Sequence, residues 1–140
     1  MHEKPRCPVC WSDEITVYNS DDVICNACAF RILPNKPVEE VSVKDAALMT
    51  DKNHAILLDV RQPNEHAIAR IEQAMFIPQQ ELPNRLDKLD KRKKIICFCH
   101  HGGRSHLVAR YLIQKGFRAM NMQGGINAWS VEIDENVKKY

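Results

Sequence analysis

Residues 95–105 read IICFCHHGGRS. The apolar run at the start predicts a short strand that is buried on both faces of a sheet. The two glycines after Cys99 predict a tight loop, and a helix is expected to begin at Ser105. Backbone N–H groups and a helix N-terminus would then point at the Cys99 sulfur, and both favour negative charge. We therefore predict that Cys99 is a nucleophile whose thiol has a lowered pKa.

The other side chains of this loop suit an anionic sulfur. Gly102 and Gly103 allow the backbone to curl round an anion without Cβ clashes, and Arg104 adds a fixed positive charge with several donors. His100 and His101 are either general acids or substrate-selecting groups, or they are ordinary loop residues that face solvent. The residue types alone leave both interpretations open.

Cys97 lies two residues before Cys99 and therefore on the same face of the predicted strand. A regulatory disulfide between the two cysteines is one hypothesis. Packing of Cys97 in the core is the favoured one, since a cysteine in a buried strand usually behaves as a small apolar residue.

Strands and helices alternate on both sides of this loop. The predicted strands are residues 41–43, 55–60, 76–77, 95–98 and 118–122, and the predicted helices are residues 44–50, a helix beginning at Pro63, an amphipathic helix at 80–89 and residues 105–115. Gly116 is placed to cap the last of these helices. The alternation predicts an α/β fold with a parallel sheet flanked by helices on both faces.

Three motifs occur in order along this part of the chain. They are LLDVR at residues 57–61, Cys-x-x-Gly-x-Arg at residues 99–104 and QGGINAW at residues 123–129. Together they resemble the motifs of rhodaneses, the single-domain sulfurtransferases. The resemblance implies a rhodanese-like domain over residues 38–140.

The resemblance also implies a reaction and a set of site residues. The Cys99 thiolate would take the sulfane sulfur of a donor such as thiosulfate, and the resulting persulfide would pass it to a thiophilic acceptor such as cyanide or a protein thiol. Arg104 is expected to act with Cys99, and Asp59 to pair with Arg104 beside the site, unless it forms an ordinary surface ion pair. The residues expected to bind substrate are His100, His101, Gly102, Gly103, Ser105, Asp59 and Arg61.

Two other functions are alternatives to sulfur transfer. Cysteine phosphatases and arsenate reductases use a thiolate in a similar cradle, but their loop has five residues between cysteine and arginine. Four residues separate Cys99 from Arg104, and this shorter loop favours a sulfur atom over a tetrahedral oxyanion. A non-enzymatic binding module on the same scaffold is the second alternative. The presence of both Cys99 and Arg104 argues against it.

Four further cysteines form two pairs of equal spacing near the start of the chain. Cys7 and Cys10 are separated by fourteen residues from Cys25 and Cys28. Two such pairs can complete a tetrahedral thiolate site, which predicts one structural zinc ion per chain. Iron and a dithiol redox role are less favoured alternatives.

The segment between these pairs predicts a β-hairpin with a polar turn at residues 19–22. A hairpin between two cysteine pairs resembles a zinc ribbon, which we expect over residues 1–35. Pro34 and Pro37 mark the linker at residues 33–38. So small a unit needs metal to fold, and a protein partner is one hypothesis for what the ribbon binds.

Composition and charge narrow the class of protein. Apolar residues make up 44% and charged residues 27%, as in soluble globular proteins. No apolar run approaches the length of a membrane span, and no secretory signal is recognised at the start, so we expect a cytoplasmic protein. The net charge of +2 is unevenly distributed. Residues 1–40 carry four basic and seven acidic side chains, which gives nucleic-acid binding by the ribbon no support.

Overall fold

The computed structural model describes residues 7, 15–18, 22–25, 31–32 and 37–140. The first elements form a small antiparallel sheet of three strands, which are β1 Ile15–Tyr18, β2 Asp22–Cys25 and β3 Arg31–Ile32. β1 and β2 pair with Ile15 opposite Cys25, so the predicted hairpin is present. β3 pairs with the other side of β2 and was not expected from the sequence.

The rest of the chain forms a five-stranded parallel sheet with helices. Its elements are β4 Glu39–Val41, α1 Val43–Asp51, β5 Ala55–Asp59, α2 Pro63–Ile68, β6 Met75–Phe76, β7 Lys94–Phe98, α3 Gly103–Gln114, β8 Arg118–Met122 and α4 Gly125–Glu132. The strand order is β4-β8-β7-β5-β6, with every neighbouring pair parallel. β7 therefore lies in the middle of the sheet, which buries the strand that carries the cysteine loop.

Alternate side chains of β7 enter two separate cores. Ile96 and Phe98 belong to the core that contains residues of α1 and α4. Ile95 and Cys97 belong to the core on the other face, which contains residues of α3 and of the segment between β6 and β7. Both faces of the sheet are thus covered, and the predicted α/β class with flanking helices is confirmed.

Two short predicted strands differ from the structure by one or two residues. The strand expected at residues 41–43 ends at Val41, and Val43 already belongs to α1. Ser42 causes this early change, because its side-chain oxygen accepts a hydrogen bond from the Asp45 N–H at 3.1 Å and caps the helix. The strand expected at residues 76–77 is β6, one residue earlier.

The amphipathic α-helix predicted at residues 80–89 is wrong. Two short 3-10 helices, Gln79–Asn84 and Leu86–Lys88, occupy this segment. Pro83 lies inside the first of them, and proline cannot donate the backbone hydrogen bond that an α-helix needs. Leu82 and Leu89 are nevertheless buried, so the apolar spacing identified residues of the core correctly.

The helix predicted at residues 105–115 is present as α3, and it begins two residues earlier than expected. Its apolar side chains Leu107, Val108, Tyr111 and Leu112 are buried, and Gly116 follows it with the positive φ of +95° that suits a C-terminal cap. Within the residues that the structure describes, none of the helices has the length and apolar character of a membrane span.

Candidate active site

Cys99 follows β7 directly, at the carboxyl end of the central strand. Its sulfur accepts hydrogen bonds from the backbone N–H groups of Gly102 at 3.1 Å and Ser105 at 3.4 Å. The Ser105 Oγ lies 3.3 Å from the same sulfur. Cys99 is fully buried. The two backbone N–H groups therefore stabilise negative charge on the sulfur.

Two glycines give the loop its shape. Gly102 has a φ of +108°, a left-handed conformation that side chains rarely adopt, and this turns its N–H towards the sulfur. Gly125 begins α4 behind the loop, where a Cβ would collide with the carbonyl groups of Cys99 and His100. Gly103 lies within α3 and has no positive φ, so only one of the two predicted loop glycines is required by the backbone.

The QGGINAW motif at residues 123–129 binds the backbone of the cysteine loop. The N–H of Ile126 donates to the Cys99 carbonyl at 2.9 Å, and the N–H of Asn127 donates to the His100 carbonyl at 3.1 Å. These are N–H groups of the first turn of α4, which have no partner within their own helix. The first turn of α4 is therefore attached to the backbone of the cysteine loop.

Asp59 and Arg61 form a buried ion pair beside the site. The Arg61 guanidinium donates to both Asp59 carboxylate oxygens, at 2.9 and 2.7 Å, and also to the Ala69 carbonyl at 2.6 Å. The two side chains are 1% and 0% exposed. Burial alone would lower the pKa of Arg61, but the hydrogen bonds and charge of Asp59 raise it above the usual value. The prediction that Asp59 pairs with Arg104 is wrong, because the nearer Arg61 occupies both of its oxygens.

Arg104 pairs with Glu65, in the first turn of α2. Two guanidinium nitrogens donate to the two carboxylate oxygens, each at 2.8 Å. Burial alone would raise the pKa of Glu65, but Arg104, the Tyr140 hydroxyl and the Arg61 charge outweigh it and lower the pKa. This pair therefore stabilises the fold above the pKa that Glu65 has when unfolded, and the contribution is lost as the pH falls through the lowered pKa.

Tyr140 connects the polar groups around the loop. Its hydroxyl donates to Glu65 at 2.9 Å and accepts from Arg61 at 2.9 Å. Its ring stacks on His100 with centroids 4.0 Å apart and an interplanar angle of 7°. The His101 ring also contacts the His100 ring, with centroids 4.0 Å apart. His100 is therefore half-buried between rings, whereas His101 is exposed.

A second polar cluster lies on the other side of Ser105. The Ser105 Oγ is 2.5 Å from Asn121 Oδ1, and Asn121 Nδ2 donates to both oxygens of Glu40 and to the Gly102 carbonyl. His106 Nδ1 is 2.8 Å from Glu40. These groups border a cleft of about 550 Å³ next to the loop.

Comparison with known proteins identifies the family. The rhodanese-like domain matches residues 42–132, about two thirds of the chain. The chain belongs to the rhodanese-like domain family. The Bacillus subtilis protein YtwF is 40% identical over 76 residues, which cover 54% of this chain and 74% of YtwF. A sulfurtransferase of Allochromatium vinosum is 34% identical over 83 residues, covering 59% of this chain and 78% of that protein.

A solved structure has the same fold. The rhodanese-like domain protein of Staphylococcus aureus superposes with a TM-score of 0.64 at 27% identity, covering 74% of this chain and 99% of that protein. The rhodanese-like fold predicted for the larger part of the chain is confirmed. The match begins at residue 42 and leaves the four-cysteine segment outside it.

Four residues of this rhodanese-like site were not predicted from the sequence. They are Glu40, Glu65, Asn121 and Tyr140. Asn121 had a recognisable signal, because it is a polar residue among the apolar residues Ala119, Met120 and Met122 of β8. Glu65 also had one, since it lies in the first turn of the helix that follows the carboxyl end of β5, where ligands of parallel sheets bind. Glu40 and Tyr140 had none.

Cys97 lies in the core of the rhodanese-like domain, as the favoured hypothesis has it. Its side chain is fully buried and forms no disulfide. Burial raises the pKa of its thiol, and the neighbouring Cys99 raises it further. Cys97 is therefore a poor nucleophile beside Cys99, since the reactive form of cysteine is the thiolate.

Two of the four predicted zinc ligands lie outside the described residues. Cys7 is buried and Cys25 ends β2, while Cys10 and Cys28 fall outside the part of the chain that the structure describes. Among the residues described, no group of three or more potential ligands comes together. The four-cysteine zinc site stays a prediction.

Proposed function

We propose that this rhodanese-like domain is a sulfurtransferase that carries sulfane sulfur as a persulfide on Cys99. The proposal rests on two hydrogen bonds, in which the backbone N–H groups of Gly102 and Ser105 donate to the Cys99 sulfur. Donors fixed by the backbone need no reorganisation when charge forms on the sulfur. The Allochromatium vinosum relative, named a sulfurtransferase, supports the same class of reaction.

The reaction has two steps with thiosulfate as the proposed donor. The Cys99 thiolate attacks the sulfane sulfur and forms a new S–S bond, while the S–S bond of thiosulfate breaks and its electron pair leaves with sulfite. Cyanide or a protein thiolate then attacks the outer sulfur of the persulfide, which regenerates the Cys99 thiolate. Covalent catalysis of this kind divides one difficult transfer into two easier ones.

Other residues of the site support this chemistry in different ways. Arg104 and Arg61 bring positive charge to the loop, although Glu65 and Asp59 balance it. We propose that His101, which is exposed beside the loop, contacts the incoming donor or acceptor. His100 is held between rings and serves mainly to shape the entrance.

Mass spectrometry of the intact protein tests the proposal. Incubation with thiosulfate is expected to add one sulfur atom per chain, and peptide mapping is expected to place it on Cys99. Cyanide should then remove the added mass and release thiocyanate. A protein that gains no sulfur under these conditions, while its Cys99 thiol is shown to be free for reaction, would contradict the proposal.

Loop length separates sulfur transfer from phosphatase activity. We expect the unchanged protein to transfer sulfur at a measurable rate and to hydrolyse a chromogenic phosphate ester negligibly. Inserting one glycine between Gly102 and Gly103 moves the loop N–H groups away from the sulfur, so sulfur transfer should fall at least tenfold, because hydrogen bonds weaken steeply with misalignment. Parallel rate measurements on both proteins check this. Faster ester hydrolysis than sulfur transfer by the unchanged protein would reverse the assignment.

For the amino-terminal segment we propose one structural zinc ion held by Cys7, Cys10, Cys25 and Cys28. The β1–β2 hairpin suits this site, because its register places Ile15, which follows the first cysteine pair in the sequence, opposite Cys25 of the second. Thiolate ligands in a closed tetrahedral site would supply folding free energy to a segment too short to bury a core.

Loss of one ligand tests the zinc site. Cys25→Ser is expected to remove most of the bound zinc, measured by elemental analysis of protein purified without chelator. Cys97→Ala is the matched control and should retain one zinc per chain, because Cys97 lies in the core of the parallel sheet. Equal zinc content in the two variants, or none in the unchanged protein, would rule out the proposed ligand set.

A further inference from the structure

The Ser105 hydroxyl lies between two acceptors but has one hydrogen to donate. One acceptor is the Cys99 sulfur at 3.3 Å, and the other is Asn121 Oδ1 at 2.5 Å. The shorter contact joins two oxygens, and a hydrogen must lie between them at this distance. The hydroxyl hydrogen therefore points at Asn121, and Ser105 presents a lone pair to the sulfur.

The side-chain amide of Asn121 cannot reverse this arrangement by flipping. Its Nδ2 donates to the Glu40 oxygens at 3.0 and 3.1 Å and to the Gly102 carbonyl at 3.0 Å. A flipped amide would place its oxygen against three acceptor oxygens. Glu40 and Gly102 thus determine that Asn121 offers an acceptor to Ser105.

A lone pair facing the sulfur stabilises the thiol, because a protonated Cys99 can donate its S–H to it. The thiolate gains a donor from the hydroxyl only if Ser105 rotates its hydrogen away from Asn121. The rotation leaves Asn121 Oδ1, in a residue 2% exposed, without the Ser105 donor. Stabilisation of the Cys99 thiolate by this hydroxyl is therefore opposed by the buried hydrogen bond that the rotation breaks.

We propose that Asn121, held by Glu40, is a positioning residue that turns the Ser105 hydroxyl hydrogen away from Cys99 and so restrains formation of the thiolate. The inference rests on the proposed function, because it assigns residues that tune the same nucleophile. The effect of Asn121 is opposite to that of the Gly102 and Ser105 N–H groups, which favour the thiolate. The balance between the two sets the fraction of Cys99 that is ready to attack a donor.

Titratable groups of the loop and of the Glu40 cluster also affect the Cys99 pKa through their charge. Cys97 lies two residues before Cys99, and His100 and His101 follow Cys99 in the loop. Arg104 is paired with Glu65, and His106 lies against Glu40. A test must therefore separate removal of charge from release of the hydroxyl.

Asn121→Ala releases the hydroxyl without changing any charge. We expect the Cys99 pKa to fall, so that the thiolate fraction at a pH below that pKa rises between about twofold and tenfold, the range of one neutral hydrogen bond. The measurement is the ultraviolet absorbance of the thiolate against pH. Each variant is compared with the same variant carrying Cys99→Ser, which cancels absorbance from the other cysteines.

Ser105→Ala shows whether Asn121 acts through the hydroxyl. In that background Asn121→Ala should leave the Cys99 pKa unchanged. If Asn121→Ala lowers the pKa equally with and without Ser105, or raises it in the unchanged background, the proposal is overturned.

Variants of Glu40 provide a second test of the proposal if Asn121→Ala fails to fold. Glu40→Ala and Glu40→Gln remove the same charge, but only glutamine retains an acceptor for Asn121. We expect the larger fall in the Cys99 pKa from Glu40→Ala, and an equal fall in both variants would overturn the role of Glu40. Gln123→Ala, in the same cleft but outside this cluster, is the control and should leave the titration unchanged.

The titration needs no sulfur donor, so it separates the two proposals. If the Cys99 pKa changes in the variants as expected, but the protein never gains sulfur from thiosulfate, only the proposed function is contradicted. If sulfur loads normally but Asn121→Ala leaves the Cys99 pKa unchanged, only the positioning role is contradicted.

Discussion

Cys99→Ser is expected to abolish both sulfur loading and the transfer of sulfur from thiosulfate to cyanide. A serine hydroxyl is not ionised by the loop and forms no persulfide, so the rate should fall by more than about a thousandfold, as for loss of other nucleophiles. The measurements are thiocyanate release and the intact mass after thiosulfate treatment. The loss should occur without unfolding, since the substitution exchanges one atom.

Cys97→Ala is the matched control for this variant. Cys97 lies in the same core as Cys99 and two residues before it, but its buried thiol has a raised pKa. Sulfur loading should therefore persist in Cys97→Ala. Transfer that survives in Cys99→Ser, or that disappears in Cys97→Ala with the fold intact, would move the sulfur carrier away from Cys99.

Asp59→Ala is expected to destabilise the domain by about 3–5 kcal/mol, the usual cost of leaving one member of a buried ion pair unpaired. Arg61 is fully buried and would keep its charge with only neutral partners, which are Ala69 and Glu65 carbonyls and the Tyr140 hydroxyl. Denaturant unfolding measures the loss as a lower midpoint at unchanged slope.

Two further variants identify the cause of that loss. Glu72→Ala removes a carboxylate from an exposed ion pair with Arg70 and should leave the midpoint unchanged. The double variant Asp59→Leu with Arg61→Met removes both buried charges and should recover much of the stability. A midpoint for Asp59→Ala equal to that of Glu72→Ala would show that the buried pair does not contribute to stability.

Local sequence patterns predicted those parts of the molecule that depend on neighbours along the chain. The apolar runs of β5 and β7 and the helical spacing of α3 correspond to elements of the structure. The segment at residues 80–89 shows the limit of this reasoning. Its leucines identified the buried face, yet Pro83 determined a different backbone.

The cysteine loop was predictable for the same reason. Its donors lie within six residues of Cys99, and glycine at position 102 permits the turn that brings them to the sulfur. The predicted partner of Arg104 was wrong, because Asp59 and Glu65 lie at the same edge of the sheet. Spacing along the chain does not indicate which carboxylate is nearer.

By itself, the sequence determined the fold class, the position of the loop and the cysteine at its centre, because each depends on residue types at short spacing. Only the tertiary structure decided which groups surround that cysteine. Glu65 is 39 residues from Arg104, and Glu40 is 81 residues from Asn121. Such contacts depend on how the strands assemble into a sheet, and their distances of about 3 Å have no signature in local sequence.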